Sequence, residues 1–313
     1  MPILMFDRAQ VEAKLTMPAC IDVMAETLRA LARGEALLPL RSHVHLPSGD
    51  GLLLMPSALP SAVGVKLLSL FMGNPARGLP AIQGIVVLFD AQTGELKAVA
   101  DAVSITAIRT AAVSGVATRL LSNPDADDLA ILGSGTQAAS HLSAMLAVRP
   151  IRRIRVWSRN FNNACDFAER ESDKHDVPIE VCQTAQAAVA GASLICTCTS
   201  SNQPVLAGEW VSAGAHINAV GAYTPDMREC DSALVGRARV YVDSRESAFA
   251  EAGDLLIPLG EGVINESVFD ADLGAALLGR VPGRQSADEV TLFKSCGLAI
   301  QDLAALRYLI DTQ

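Results

Sequence analysis

The chain has 313 residues, of which 50% are apolar, 4% aromatic and 19% charged, with a formal net charge of −9. A chain of this length buries about three-quarters of its unfolded surface, so an aliphatic core forms without staples and a disordered chain is excluded. The acidic balance argues against a nucleic-acid partner, which needs a basic face to replace phosphate counterions, and no apolar stretch is long enough to predict a membrane span.

The N-terminal residues Met1 to Arg8 lack a basic segment followed by a long apolar run, so no secretory signal is expected. Ile21, Met24, Leu28 and Leu31 recur at helical spacing and predict an amphipathic helix between Pro18 and Glu35. Short apolar runs follow at 52–55, 63–71, 85–90 and 96–100, separated by Gly, Pro, Ser and Asn. They read as a mostly antiparallel sheet, with a hairpin loop over Asp90-Ala91-Gln92-Thr93-Gly94. Residues 101–121 return to helical character.

The chain breaks at Ser122-Asn123-Pro124-Asp125, and its texture changes. Strands are predicted at 129–132, 154–157, 179–182, 194–198, 217–220 and 240–242, most with helical segments between them, including 136–148 and 162–174. That alternation predicts a parallel doubly wound sheet. The segment from Thr291 to Gln313 is read as one more helix, with Leu298, Leu303, Leu306 and Leu309 on one face. There are seven cysteines, an odd number in a chain that needs no disulfides. Cys196 and Cys198 form C-x-C with no second cluster, so no metal site is expected, and the thiols point to a reduced, cytoplasmic globular protein.

Leu129-Ala130-Ile131-Leu132-Gly133-Ser134-Gly135-Thr136-Gln137-Ala138 runs from strand to helix across G-x-G-x-x-A. Gly133 permits the tight turn, Gly135 lets backbone approach a pyrophosphate, and Ala138 lets helix and strand pack closely. The helix N-terminus then presents free N–H groups to the phosphates. An ordinary glycine-rich turn has the same letters, but the flanking strand and helix favour the dinucleotide reading. The second strand ends Ser158-Arg159-Asn160, where an NAD site usually carries a carboxylate for the ribose diol. A hydroxyl and a guanidinium suit a 2′-phosphate instead, so NADPH is the expected cofactor, with NADH admitted.

Lys66 interrupts the apolar run Val63-Gly64-Val65-Lys66-Leu67-Leu68, where an ammonium must find a partner, a cavity or a snorkelling route to water. Arg41 stands among leucines, and Arg109 lies in a neutral helix of small residues. Each alone reads as a surface charge. Together, before a cofactor domain, the three suit a substrate carboxylate. His43 and His45 alternate on one strand without further ligands and are taken as structural.

Residues 115–121 leading into the Gly-Ser-Gly-Thr-Gln turn, the run His216-Ile217-Asn218-Ala219-Val220-Gly221-Ala222, and Leu292-Phe293-Lys294-Ser295 followed by Ala299-Ile300-Gln301-Asp302 resemble the ornithine cyclodeaminase/mu-crystallin family. The resemblance spans nearly the whole chain. It implies an α/β protein of two domains: residues 1–121 with 291–313 as an α+β substrate-binding and dimerisation domain, and 122–290 as a Rossmann domain. It implies that Arg41, Lys66 and Arg109 bind the substrate carboxylate and form the catalytic set. It further implies that Thr136, Gln137, Thr199, Asn218, Ala219, Val220, Gly221 and Ser295 contact the cofactor, beside Gly133, Gly135, Ser158, Arg159 and Asn160 of the turn and the second strand's end. Tyr223 and Cys296 complete the expected substrate site.

One departure selects a branch. The family's cyclodeaminases have Asp two residues after the glycine matching Gly221, where it binds the substrate amine; this chain has Tyr223 there. Asp226 lies three positions later and does not replace it. The segment Gly221-Ala222-Tyr223-Thr224-Pro225-Asp226-Met227 resembles the family's ketimine reductases. The resemblance therefore implies NAD(P)H-dependent reduction of cyclic ketimino acids by a cytoplasmic homodimer, with Lys66 as the nearest proton donor and Tyr223 or a water behind it. Ornithine cyclodeamination, an alanine dehydrogenase reaction and a non-catalytic ligand-binding role remain as alternatives.

Overall fold

The computed structural model describes residues 2–313, and the chain divides into two compact units, Met1–Ala112 with Gly297–Gln313, and Val113–Cys296.

The first unit holds six strands: β1 (Leu4–Phe6), β2 (Ser42–His45), β3 (Gly51–Leu59), β4 (Ala62–Leu70), β5 (Ile82–Asp90) and β6 (Leu96–Asp101), in the order β1-β6-β5-β4-β3-β2. All neighbours are antiparallel except β1 and β6. Helix α1 (Arg8–Lys14) opens on a capping box, in which Asp7 accepts from Gln10 N and the Gln10 side chain accepts from Asp7 N, both at 2.9 Å. Helix α2 (Met17–Ala32) buries Ile21, Met24 and Leu28. In the β5–β6 hairpin, Asp90 Oδ1 accepts from the backbone of Gln92 and Thr93 and shapes the loop.

Period-2 alternation sorts the side chains of this sheet. Leu53, Met55, Leu68, Val86, Leu88, Ala98 and Ala100 are buried on one face. The C-terminal helix Ala299–Asp311 packs on β3, β4, β5, β6 and α2 and buries Leu303, Leu306 and Leu309. Leu298 is the N-cap of that helix rather than part of its apolar face. Leu52, Val63 and Ile85, on the opposite face, stand exposed, with Val65, Leu67 and Val87 half-buried between them. That face is thus apolar and only partly covered.

The second unit holds seven strands: β7 (Asp128–Leu132), β8 (Arg153–Trp157), β9 (Glu180–Val181), β10 (Leu194–Thr197), β11 (His216–Ala219), β12 (Arg239–Val242) and β13 (Thr291–Lys294). All pair in parallel, in the order β12-β13-β11-β10-β7-β8-β9. β7, β10, β11, β12 and β13 are buried along nearly their whole length, as expected where helices cover both faces of such a sheet. From one edge, the first five strands run third, second, first, fourth, fifth, the dinucleotide-binding order, so the sheet reverses direction between β7 and β10. β13, within a segment read from sequence as helix, inserts between β11 and β12. The boundary drawn at residues 290/291 is therefore one strand too early, since Thr291–Lys294 belongs to this sheet. Helix α3 (Ala102–Leu121) begins in the first unit and ends in the second.

Candidate functional site

Three of the predicted residues, Arg41, Lys66 and Arg109, lie in the first unit. β4 alternates strictly, so Lys66 falls on its buried face, and its ammonium cannot reach water. The Nζ lies 2.9 Å from Asp302 Oδ2 and donates to Thr106 Oγ1 at 3.3 Å. Asp302 sits in the first turn of the C-terminal helix, fully buried, and its other oxygen accepts from Arg109 Nε at 3.0 Å. Arg109 also donates through NH1 to Gln301 Oε1 at 2.6 Å, and Gln301 Oε1 receives Leu298 N at 3.2 Å. Arg41, in the loop before β2, donates to Gly297 O at 2.8 Å. One carboxylate thus serves two buried cations, and the ammonium keeps a third N–H beyond these two partners.

Burial pulls the Lys66 amine down to about 7; Asp302 opposes the shift, while Arg109 and Arg41 add to it. For Asp302, burial works upward, but Arg109 and Lys66 hold the carboxyl below its ordinary range. Cys20 lies under the same cluster, and burial lifts its thiol to about 12, so it stays protonated and inert.

The turn after β7 sits where the second sheet reverses direction. Gly133 has φ +123°, and a Cβ there would meet Cys198 O, in the loop after β10, at 2.4 Å. A Cβ at Gly135 meets nothing within 4 Å, so the space above the N-terminus of helix α4 (Thr136–Val148) is open. No side chain caps that helix, and Gln137 Oε1 in its first turn is buried without a hydrogen-bond partner. These features fit a dinucleotide: an approachable backbone, unsatisfied helix N–H groups and an unclaimed polar atom. Ser134 donates to Ser158 Oγ at 3.0 Å, Arg159 is exposed, and Asn160 caps helix α5 (Phe161–His175) through Asn162 N at 3.0 Å.

Beyond β10 and β11, the loops are tied from beneath. Glu229, fully buried, accepts from Thr199 N at 2.6 Å and Thr199 Oγ1 at 2.7 Å on one oxygen. Its other oxygen accepts from Thr197 Oγ1 at 2.7 Å and Gly221 N at 2.6 Å. A Cβ on Gly221 would fall 1.9 Å from Thr199 O, so the two loops approach this closely only with glycine. Asp254 Oδ1 in turn accepts from Glu229 N at 2.7 Å and Cys230 N at 2.9 Å. Its Oδ2 lies 3.0 Å from Lys294 Nζ, which also donates to Ala219 O at 3.3 Å and Ala222 O at 2.5 Å.

The remaining predicted residues are placed less uniformly. Tyr223 is 49% exposed in the loop after β11. Ala219 and Val220 are buried, as are Ser295 and Cys296, whose amides donate to Ala219 O at 3.0 Å and Asp243 Oδ2 at 2.8 Å. The Asn218 amide is committed to Thr118 Oγ1 at 2.9 Å, so its side chain faces the interior of the unit. His43 and His45 stack at 5.5 Å on an exposed strand. Among the described residues no group of His, Cys, Asp or Glu could hold a metal ion, and no helix is long and apolar enough to cross a membrane. Sequence reasoning missed Asp302, Gln301 and Thr106, and the Glu229, Asp254 and Lys294 cluster. An acid inside an apolar helix was the available signal for Asp302, whose neighbours Leu303, Ala304, Ala305 and Leu306 are all buried.

The chain is 41% identical over 282 residues to the mouse ketimine reductase mu-crystallin, covering 89% of this chain and 86% of that protein. The solved Thermococcus litoralis Delta(1)-pyrroline-2-carboxylate reductase, in complex with NADH and L-proline, superposes with a TM-score of 0.95 at 36% identity, covering 99% of this chain and 97% of that one. An archaeal alanine dehydrogenase dimer with bound NAD superposes with a TM-score of 0.93 at 31% identity, covering 100% and 96% of the two chains. The sequence model of the ornithine cyclodeaminase/mu-crystallin family matches residues 3–313, and the chain belongs to that family.

Proposed function

We propose that the protein is an NAD(P)H-dependent reductase of cyclic ketimino acids, taking 1-pyrroline-2-carboxylate to L-proline and 1-piperideine-2-carboxylate to L-pipecolate. The observation that carries the reading is the buried Lys66, held near neutrality against Asp302 and Arg109. A ketimine accepts a hydride at carbon only when its nitrogen is protonated, and an amine titrating near 7 both gives and regains a proton at working pH. The cofactor, when bound, supplies the hydride. With Lys66 protonated, it and Arg109 outweigh the one carboxylate of Asp302, so the two, with Arg41, can take up the substrate carboxylate. That contact fixes the imine carbon in position.

Gly133, Gly135, Thr136 and Gln137 would hold the pyrophosphate, and Ser158 and Arg159 the adenosine ribose with its 2′-phosphate. Thr199 and Gly221 would lie on the nicotinamide side. Asn218, Ala219, Val220 and Ser295 act through the backbone they support, and Tyr223 and Cys296 would border the substrate. Tyr223 in place of an acid weighs against binding the second amine of ornithine. The half-exposed apolar face of the first sheet offers a homodimer surface, as fits the dimeric alanine dehydrogenase relative. Seven free thiols fit the cytoplasm.

Reduced-cofactor oxidation with the five- and six-membered ketimines, with pyruvate plus ammonia, and with ornithine run in parallel tests the reading. Ketimines should be the fastest substrates. Faster ammonia release from ornithine, faster turnover of pyruvate, or binding without turnover would each overturn it.

A further inference from the structure

The cluster beneath the loops after β10 and β11 carries an unbalanced charge. Glu229 and Asp254 are two carboxylates, Lys294 is one ammonium, and all three are fully buried. Both Glu229 oxygens accept two donors each, the pattern of an ionised carboxylate. Burial and Asp254 hold this carboxyl above its ordinary value, against the opposing pull of Lys294 and the Thr199 and Thr197 hydroxyls. Burial likewise works against the Lys294 ammonium, yet Asp254 and Glu229 raise it above its ordinary value, so it remains charged. With Glu229 ionised, as its four donors favour, the cluster carries one excess negative charge in surroundings that screen it poorly.

Its position gives that charge an object. A dinucleotide lies across the strand ends at the point where the sheet reverses, its pyrophosphate at the α4 N-terminus and its adenosine over β8. The other half then extends over the ends of β10 and β11, whose Thr199 and Gly221 amides are held by Glu229. The nicotinamide ring is neutral when reduced and carries a positive charge when oxidised.

We propose that Glu229 is an electrostatic positioning residue, which through the Thr199 and Gly221 loops favours the oxidised, positively charged cofactor over the reduced one. Such a bias makes the bound reduced cofactor a stronger hydride donor. The proposal rests on the dinucleotide site and not on the identity of the imine, so a wrong substrate assignment leaves it standing.

The test is equilibrium binding without substrate. NAD+, NADH, NADP+ and NADPH are titrated into wild type, Glu229→Gln, Glu229→Asp and Asp254→Asn, with ADP-ribose as a probe that lacks the ring. Glu229→Gln should weaken the oxidised forms relative to the reduced ones by roughly 5- to 30-fold and change ADP-ribose binding much less. Glu229→Asp keeps the charge and should keep the wild-type ratio. If Glu229→Gln does not fold, Asp254→Asn removes the same unit of charge and should move the ratio the same way. In wild type, NAD+ should bind more tightly than ADP-ribose. Equal losses for oxidised and reduced forms, an unchanged ratio, or ADP-ribose binding wild type as tightly as NAD+ would each overturn the proposal.

Discussion

Lys66 on β4 and Asp302 on the C-terminal helix form a buried ion pair of 2.9 Å. Such a pair contributes little net stability over an apolar replacement, but removing one partner strands the other. Its cost is offset here by Arg109, which shares the carboxylate at 3.0 Å. The arrangement holds the amine that the proposed reaction uses as its proton donor.

Lys66→Met should cripple turnover and leave cofactor affinity nearly intact. One charge-assisted contact is worth about 1.5–3 kcal/mol, or roughly 10- to 150-fold in kcat/KM. Steady-state kinetics beside a cofactor titration checks both halves. Wild-type kcat/KM in the variant would remove Lys66 from the site.

The pH profile should show the same amine. The Lys66 amine sits at about 7 in the free protein and must be protonated to act, so kcat/KM should fall as pH rises through that value. A bound substrate carboxylate adds negative charge and raises the amine, so the limb of kcat should lie at higher pH than the limb of kcat/KM. Coincident limbs would mean that the substrate carboxylate does not approach Lys66.

Asp302→Asn keeps the shape and deletes the shared anion. Lys66 loses the group that holds its amine up, so the alkaline limb should move to lower pH. Breaking a buried pair costs about 3–5 kcal/mol, so the melting temperature should fall as well. A pH profile identical to wild type in folded variant would show that Asp302 does not govern the amine.

What was legible in the sequence follows the range of the interactions. The turn from Gly133 to Ala138 is local: strand, glycine spacing and helix all lie within a few residues, and the fold places it at the sheet reversal. Lys66 was visible as a charge in an apolar strand, but its partner comes from the last helix, and nothing near Lys66 encodes Asp302. Thr291–Lys294 offers four residues ending in a charge, too short for a periodic signal, and it becomes a strand because β11 and β12 flank it. Glu229 reads as an ordinary loop acid; only folding brings the Thr197, Thr199 and Gly221 donors around it.

The two glycines of the turn should fail differently. Gly133→Ala forces a Cβ to 2.4 Å from Cys198 O at φ +123°, so both thermal stability and dinucleotide affinity should drop, with backbone strain alone of order 1–3 kcal/mol. Gly135→Ala meets nothing within 4 Å. It should melt like wild type and bind the dinucleotide more weakly, because the methyl occupies the pyrophosphate's approach. Melting curves with and without cofactor separate the two, and full affinity in Gly135→Ala would displace the pyrophosphate from this turn.

Cofactor choice should follow Ser158 and Arg159. Ser158→Asp places a carboxylate where a 2′-phosphate would lie, so kcat/KM should fall for NADPH and hold or rise for NADH. Arg159→Ala should weaken NADPH more than NADH, because only the phosphate uses the guanidinium. Equal losses for both cofactors in Arg159→Ala would show that the residue does not read the phosphate.

Hydride transfer from the nicotinamide to the carbon of a cyclic imine can be followed by isotope. Reduced cofactor carrying deuterium at the transferred position of its ring is incubated with 1-pyrroline-2-carboxylate, and the proline is analysed by mass spectrometry and NMR. One deuterium is expected at the α-carbon of L-proline for each cofactor oxidised. Proline formed from ornithine with no net cofactor oxidation, alongside no deuterated proline from the imine, would contradict it.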